Sequence, residues 1–460
     1  MDKLLLYLKN NFIAVLFIAW WFTLPMGAFF ASVDLGAMVL YPNLICALLL
    51  GIFGLKSIFK WEKTHYFFFG FLVLWAIQGG VQFFSQTKTA LALFDLRSLL
   101  MQMITAFVLF STFAQLGKER FFKIAVYGLR FSLLTLIVSG FFESYTGIHI
   151  VGTFTEKILA LRVGNIHYAP VFLYDNPNDF VAHYLFFTIF LMLLDKKWAK
   201  QTFLMLMILV TGYFFAFLAD SLFGKIAVVL LSVFYLLREF SSINFNQKLI
   251  GIGAITVFAL LFLTNPIFIG PRYQNGNQYR INEMVNVKID SANVEILDVK
   301  THYSLADQKR IYNALDSLEH NNPKNSQNVR KALMLNSFHF IKEAPFGGIG
   351  VGQFYQRHID KNVPNNTGTV TSAHCFPLEI IATYGLSGWI YFIFLGFVFI
   401  QLLRFSKQLE LLYSLLVCYF VTLAIIWLMP SNYLYLEISK MTIPLLLLLT
   451  SIKKNERSEC

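Results

Sequence analysis

The sequence predicts an all-α integral membrane protein of about 12 transmembrane helices with one large extracytoplasmic loop that contains helices, and three observations carry that reading. The chain of 460 residues is 57% hydrophobic and only 14% charged, with a mean hydropathy of +0.60. Its apolar runs are continuous and about 20 residues long, which is what a helix rising 1.5 Å per residue needs to cross the hydrocarbon of a bilayer. A single polar segment, roughly residues 271–375, interrupts them and carries five of the nine histidines: His302, His320, His339, His358 and His374. Continuous runs lack the alternation of a membrane β-barrel, and helix is the open-chain structure that satisfies its own backbone polar groups in lipid.

Twelve apolar runs follow in order: about 11–31, 35–55, 65–84, 98–116, 121–142, 179–195, 198–218, 222–237, 249–270, 376–402, 411–429 and 434–452. Met1-Asp2-Lys3 leads into the first without a small-residue cleavage pattern, so it reads as a retained helix and not a removed signal peptide. Alternate short connections differ in charge: one set holds 18 lysines and arginines, among them Lys56, Lys60, Lys118, Lys196, Lys197, Lys453 and Lys454, while the other holds 4, Lys88, Arg97, Lys157 and Arg162. Positive charge is retained on the cytoplasmic side, which puts both termini in the cytoplasm and the polar segment outside, between spans nine and ten. The domain division follows: residues 1–270 with spans one to nine, 271–375 as the outer loop, and 376–460 with spans ten to twelve and a cytoplasmic tail. Of the cysteines Cys46, Cys375, Cys418 and Cys460, only Cys375 borders the outer space, so no disulfide framework is implied.

A second outer connection, about residues 143–178, is longer than a hairpin needs. It opens with Glu143 and Thr146-Gly147 and closes with Asn176-Pro177-Asn178-Asp179, where Asn176 suits an N-cap and Pro177 the first position of span six.

The polar segment holds twelve basic and nine acidic residues, the mixed surface of a solvated cap. Its most organised part is Ser326 to Phe354. Val329, Leu333, Phe338 and Ile341 recur near helical spacing, with Arg330, Met334, Ser337 and Ile341 as a neighbouring stripe. Pro345 ends that helix, and Gly347, Gly348, Gly350 and Gly352 follow as tight turns whose N–H groups could form an anion nest. Ala373-His374-Cys375 opens span ten with Glu379 a turn further in. His374 suits either a phosphate contact or proton transfer, or a headgroup-bonded interfacial residue, while the other loop histidines read as surface residues. Glu379 inside a span marks a paired or functional group.

Further charges cluster at the same depth: Asp220, Ser221 and Lys225 between spans seven and eight, Lys440 near the outer end of span twelve and Arg97 at the outer end of span four. Together they suit a polyanionic lipid headgroup, a pyrophosphate especially, although independent snorkelling of each also fits. Arg130, nearer the cytoplasmic side, reads as a snorkelling residue. The histidines are 16–19 residues apart without a His-x-x-x-His pair, and no P-loop is present, so neither a metal centre nor a nucleotide motor is indicated.

The stretch from Arg330 through Glu343-Ala344-Pro345-Phe346-Gly347-Gly348-Ile349-Gly350-Val351-Gly352-Gln353-Phe354 resembles the signature of the O-antigen ligase/polymerase family of bacterial membrane glycosyltransferases. Ala373-His374, Glu379 and Gly385-Leu386-Ser387-Gly388 share the resemblance, and the Glu143 and Asn176-Pro177-Asn178-Asp179 stretches are similar to the polymerase type. Two departures stand out: Cys375 replaces the family's usual asparagine, and Lys225 follows Asp220-Ser221 where a Ser-Arg pair is usual. The resemblance implies a transferase at the outer face of the cytoplasmic (inner) membrane that polymerises undecaprenyl-pyrophosphate-linked repeats for lipopolysaccharide or another surface polysaccharide. The alternative within the family is a ligase that passes the glycan to lipid A core or a protein; a transporter or flippase fits the span count but not the position of the charges. On this reading His374, Arg330 and Glu379 are the catalytic residues, and Arg330, Lys225, Lys440, Arg280 and Arg310 bind the pyrophosphate. The implied partners are the lipid-linked donor, a glycan acceptor, membrane lipids and a chain-length regulator, with no cofactor, metal or nucleic acid.

Overall fold

A computed structural model describes residues 2–24, 33–34, 39–40, 42–85, 90–146, 170, 172, 177–195, 201–219, 221–239, 286–290, 293–298, 326–365, 375–405 and 437–458. Helices follow the apolar runs. α1 (Asp2–Thr23) begins ahead of the first run and bends at Asn11 (φ −119°, ψ 16°), the residue where the run starts. The expected second span begins late, because Val33–Asp34 (β1) and Val39–Leu40 (β2) pair as a short antiparallel hairpin. α2 (Pro42–Gly54) opens on a proline, which has no N–H to lose at a first helical position, and a 3-10 turn Leu55–Lys60 completes it.

α3 (Lys63–Ser85), α4 (Ala90–Leu116), α5 (Lys118–Thr146), α6 (Pro177–Leu194), α7 (Thr202–Leu218) and α8 (Leu222–Glu239) follow. α6 opens on Pro177, as the sequence predicts; Asn176 lies outside the described residues. α4 begins well before residue 98, which carries Asp95 and Arg97 into the helix instead of leaving Arg97 at its tip. Among the described residues, Pro42–Lys60, Lys63–Ser85, Leu91–Leu116, Lys118–Tyr145 and Pro177–Leu194 are long and apolar enough to cross a membrane, and shorter apolar helices accompany them at Asn11–Thr23, Phe203–Leu218, Phe223–Val233, Leu386–Gln401 and Ser439–Thr450. The expected spans at 249–270 and 411–429 lie outside the described residues.

Buried aromatic and small residues hold the bundle together, as they must where lipid competes equally for apolar surface. α6 is its central helix, with 83% of its apolar window buried against α5, α7 and α8. A β-carbon on Gly140 of α5 would meet the rings of Phe215 and Phe180, and one on Gly212 of α7 the ring of Tyr184, so both positions admit close helix approach. α4 packs on α2, α3, α5 and α13 (Glu437–Ser458). Arg130, expected to snorkel, instead pairs with Asp195 at the end of α6, 2.5 Å away.

The polar segment contains helices, as expected, and a β-hairpin beside them. β3 (Asn286–Asp290) and β4 (Asn293–Asp298) form an antiparallel hairpin, with Val287 opposite Ile296 and Lys288 opposite Glu295. The two-residue periodicity of both stretches favours strand. α9 (Ser326–Glu343) and α10 (Gln353–Ile359) then dock on the bundle through a small core of Phe340, Ile349, Phe354, Tyr355 and Ala382. The buried stripe of α9 is Leu333, Asn336, Ser337 and Phe340; it keeps Leu333 and Ser337 of the expected stripes, whereas Phe338 and Met334 are exposed. Span ten is broken in two, α11 (Phe376–Tyr384) and α12 (Leu386–Phe405), at Gly385.

Candidate active site

The break at Gly385 sets the geometry of the site. A helix that ends inside a protein leaves its last four carbonyls without partners, and in lipid each must find a donor. For α11 all four do. Ile381 C=O accepts from Gly385 N–H (2.8 Å), Ala382 C=O from Ile349 N–H (2.9 Å) and Thr383 C=O from Gly350 N–H (3.0 Å). Tyr384 C=O accepts from Gln78 Nε2 of α3 (3.1 Å). The glycine turn after α9 is thus the cap of a broken helix.

The same turn is tied down on its other side. Leu386 N–H donates to Phe346 C=O (2.9 Å), and Gln78 and Gln82 both donate to Gly347 C=O (3.0 and 2.6 Å). Ser387 Oγ donates to Gln78 Oε1. Gly352 N–H donates to the carboxylate of Asp95, 2.6 Å away and 3% exposed. The expected anion nest is therefore corrected: the N–H groups of Ile349, Gly350 and Gly352 are consumed by protein acceptors, one of them a carboxylate from α4. Two glycines are required by this interlock. Gly348 (φ +73°) and Gly385 (φ +56°) occupy the left-handed region, and their β-carbons would lie 2.2 Å from Thr383 O and 2.3 Å from Phe346 O.

Around the turn, α9 and α10 are locked by polar side chains that the sequence did not single out. Asn336 is fully buried; its Oδ1 accepts from Asn365 N–H (3.0 Å), and its Nδ2 reaches Asn365 C=O (2.8 Å) and His358 Nε2 (3.1 Å). His358 Nδ1 lies 2.7 Å from Phe354 C=O. That network assigns the ring as neutral, with Nδ1–H donating and Nε2 accepting. His358 is 2% exposed, so the expectation of a surface residue fails, and burial pushes its pKa below the ordinary 6.5. His339 is exposed, as expected. Arg357 forms a two-point ion pair with Glu343 (2.6 and 2.9 Å) and sits over the ring of Phe340, 5.2 Å from its centroid. The hydrogen bond from Arg357 holds the Glu343 carboxyl below its usual 4.5.

The residues expected to do chemistry divide into three groups. Glu379 is half-buried in the first turn of α11 and accepts a hydrogen bond from Tyr355 Oη of α10. Arg330 is exposed on α9, which packs on α11, and no hydrogen bond or ion pair among the described residues holds its guanidinium. Lys225 on α8 lies 5.3 Å from the ring of Phe217, and Lys440 on α13 is buried within electrostatic reach of His183 on α6. α8, which carries Lys225, packs on α6, and Lys440 acts on His183 of α6, while Arg330 lies on the docked cap and Glu379 on the broken helix α11. His374, Arg280, Arg310 and Asp220 lie outside the described residues. Glu143, part of the resemblance, is fully buried and accepts from Phe172 N–H (2.7 Å), which fastens the second long connection to the end of α5.

Asp95, Tyr355 and Asn336 were not singled out from the sequence, and His358 was expected at the surface. Asp95 had a signal: an acidic residue inside an apolar stretch that continues span four. The others depend on tertiary contacts and carry none.

No curated protein matches the chain. A family model described as O-antigen ligase matches residues 181–393, from α6 through the polar segment and the broken helix into α12. By that match residues 181–393 are similar to the O-antigen ligase family, in a chain whose described residues include five helices long and apolar enough to cross a membrane.

Proposed function

We propose that the protein is a polyprenyl-pyrophosphate-dependent glycosyltransferase that polymerises undecaprenyl-pyrophosphate-linked oligosaccharide repeats on the outer face of the bacterial cytoplasmic membrane. Both termini are cytoplasmic in this reading, and residues 271–375 face outward. The observation that carries it is the interlock of the two motif-bearing stretches, 344–354 and 379–387, inside the region that matches the O-antigen ligase model.

In the reaction, an acceptor hydroxyl oxygen bonds to the anomeric carbon of the donor sugar while the bond from that carbon to the pyrophosphate oxygen breaks. The hydroxyl proton passes to a base, and the pyrophosphate leaves on its lipid. Arg330, Lys225 and Lys440 stabilise the leaving charge, with Arg280 and Arg310 as further cations, so no metal is required. His374 contacts the diphosphate or takes the acceptor proton. Glu379, held by Tyr355, orients His374 or serves as the base itself.

The similarity of residues 181–393 to the O-antigen ligase family supports a second reading, a ligase that delivers a finished glycan to lipid A core or a protein. Incubating the purified protein with a lipid-linked repeat alone separates them. A ladder of longer chains supports the polymerase; extension only after lipid A core or a protein acceptor is added supports the ligase.

A further inference from the structure

The face of α9 turned away from the bundle is apolar, and so is the turn that follows it. Met334, Leu335 and Phe338 are exposed there, and Phe346 is 77% exposed, an unusual surface for a solvated loop. Exposed Lys331 and Lys342 bracket the three along the same face of the helix. The position of Phe346 indicates what covers this surface. Its carbonyl accepts from Leu386 N–H at the start of α12, and the neighbouring Gly347 carbonyl accepts from Gln78 and Gln82 at the end of α3. Both helices present outward apolar stripes that end at that level: Ile77, Val81 and Phe84 (72% exposed) on α3, and Leu386, Trp389 and Ile393 on α12. α3 is long and apolar enough to cross a membrane.

We propose that the exposed face of α9 and the Pro345-Phe346 turn lie in the headgroup layer of the bilayer, as a helix on the membrane surface continuous with the lipid-facing sides of α3 and α12. Apolar side chains enter the boundary between headgroups and acyl chains, and Lys331 and Lys342 meet lipid phosphates. The cap then rests on the membrane and holds the joint at the depth of a lipid-borne headgroup. This inference does not depend on the identity of the reaction.

The test uses the full chain in nanodiscs of phosphatidylethanolamine and phosphatidylglycerol doped with a phospholipid that carries a diazirine in its acyl chain. After photolysis and proteolysis, mass spectrometry is expected to find lipid adducts on residues 334–346 as well as on α3 and α12. The paired substitution Phe338→Glu with Phe346→Glu is expected to remove the adducts from 334–346 and to leave those on α3 and α12. Adducts on α3 and α12 with none on 334–346 of the unsubstituted chain would overturn the proposal. So would crosslinks from 334–346 to a second copy, which would make this face a contact between chains.

Discussion

At the scale of single residues, the cap is held by groups that respond to acid. His358 is buried neutral, and its Nε2 accepts from Asn336. Its folded pKa lies below the ordinary 6.5, so an unfolded cap takes up a proton first. Stability is full above about pH 6.5 and is lost as the pH falls toward the depressed folded value. Glu343, held below 4.5 by Arg357, adds a second loss at lower pH, since its contribution is present above its unfolded value and disappears through its folded one. Protection of α9 and α10 against hydrogen exchange, corrected for the intrinsic pH dependence of the exchange rate, is expected to fall as the pH drops below about 6.5; unchanged protection would contradict the assigned network. Asn336→Ala leaves Asn365 and His358 without buried partners and is expected to cost roughly 2–3 kcal/mol, read as the same loss of protection at neutral pH. Tyr355→Phe removes the donor to Glu379 and is expected to slow transfer by roughly tenfold without unfolding the cap.

At the scale of elements, the broken helix and the glycine turn form one unit. The sequence marked the end of α9 at Pro345 and the loop character of 347–352, because proline and glycine act locally. It did not reveal that the turn caps α11, since the carbonyls of Ala382 and Thr383 become orphans only once the chain breaks at Gly385. An unbroken apolar run from 376 to 402 gives no hint of that break beyond Gly385 and Gly388. Gly348→Ala is expected to release the turn, as the left-handed backbone alone costs a β-carbon about 1–2 kcal/mol before the collision with Thr383 O is counted. Limited proteolysis between residues 344 and 352 reads that release. Asp95→Ala leaves Gly352 N–H without its acceptor and is expected to cost about 1–3 kcal/mol, whereas Asp95→Asn keeps an acceptor oxygen and recovers most of it. Equal effects of the two variants would make the negative charge, not the hydrogen bond, what the turn needs.

At the scale of the whole molecule, the helical membrane architecture was legible in run length and composition, quantities that lipid constrains directly. Which helix lies at the centre was not, because the bilayer makes lipid-facing and protein-facing surfaces equally apolar: α6 and α3 read alike in sequence, yet α6 is enclosed and α3 is peripheral. The candidate site was legible where it rests on motifs, in Arg330, Glu379 and the glycine run, and illegible where Asp95, Asn336, His358 and Tyr355 position them from elsewhere. The most direct test is chain extension by the purified, reconstituted protein supplied with a lipid-linked repeat, comparing the natural sequence with Arg330→Ala and with His374→Ala. The natural sequence is expected to give a ladder of longer glycans, and each well-expressed variant a loss of at least about a hundredfold, the order of one removed group that stabilises transition-state charge. Normal ladders from both variants would contradict the catalytic assignment.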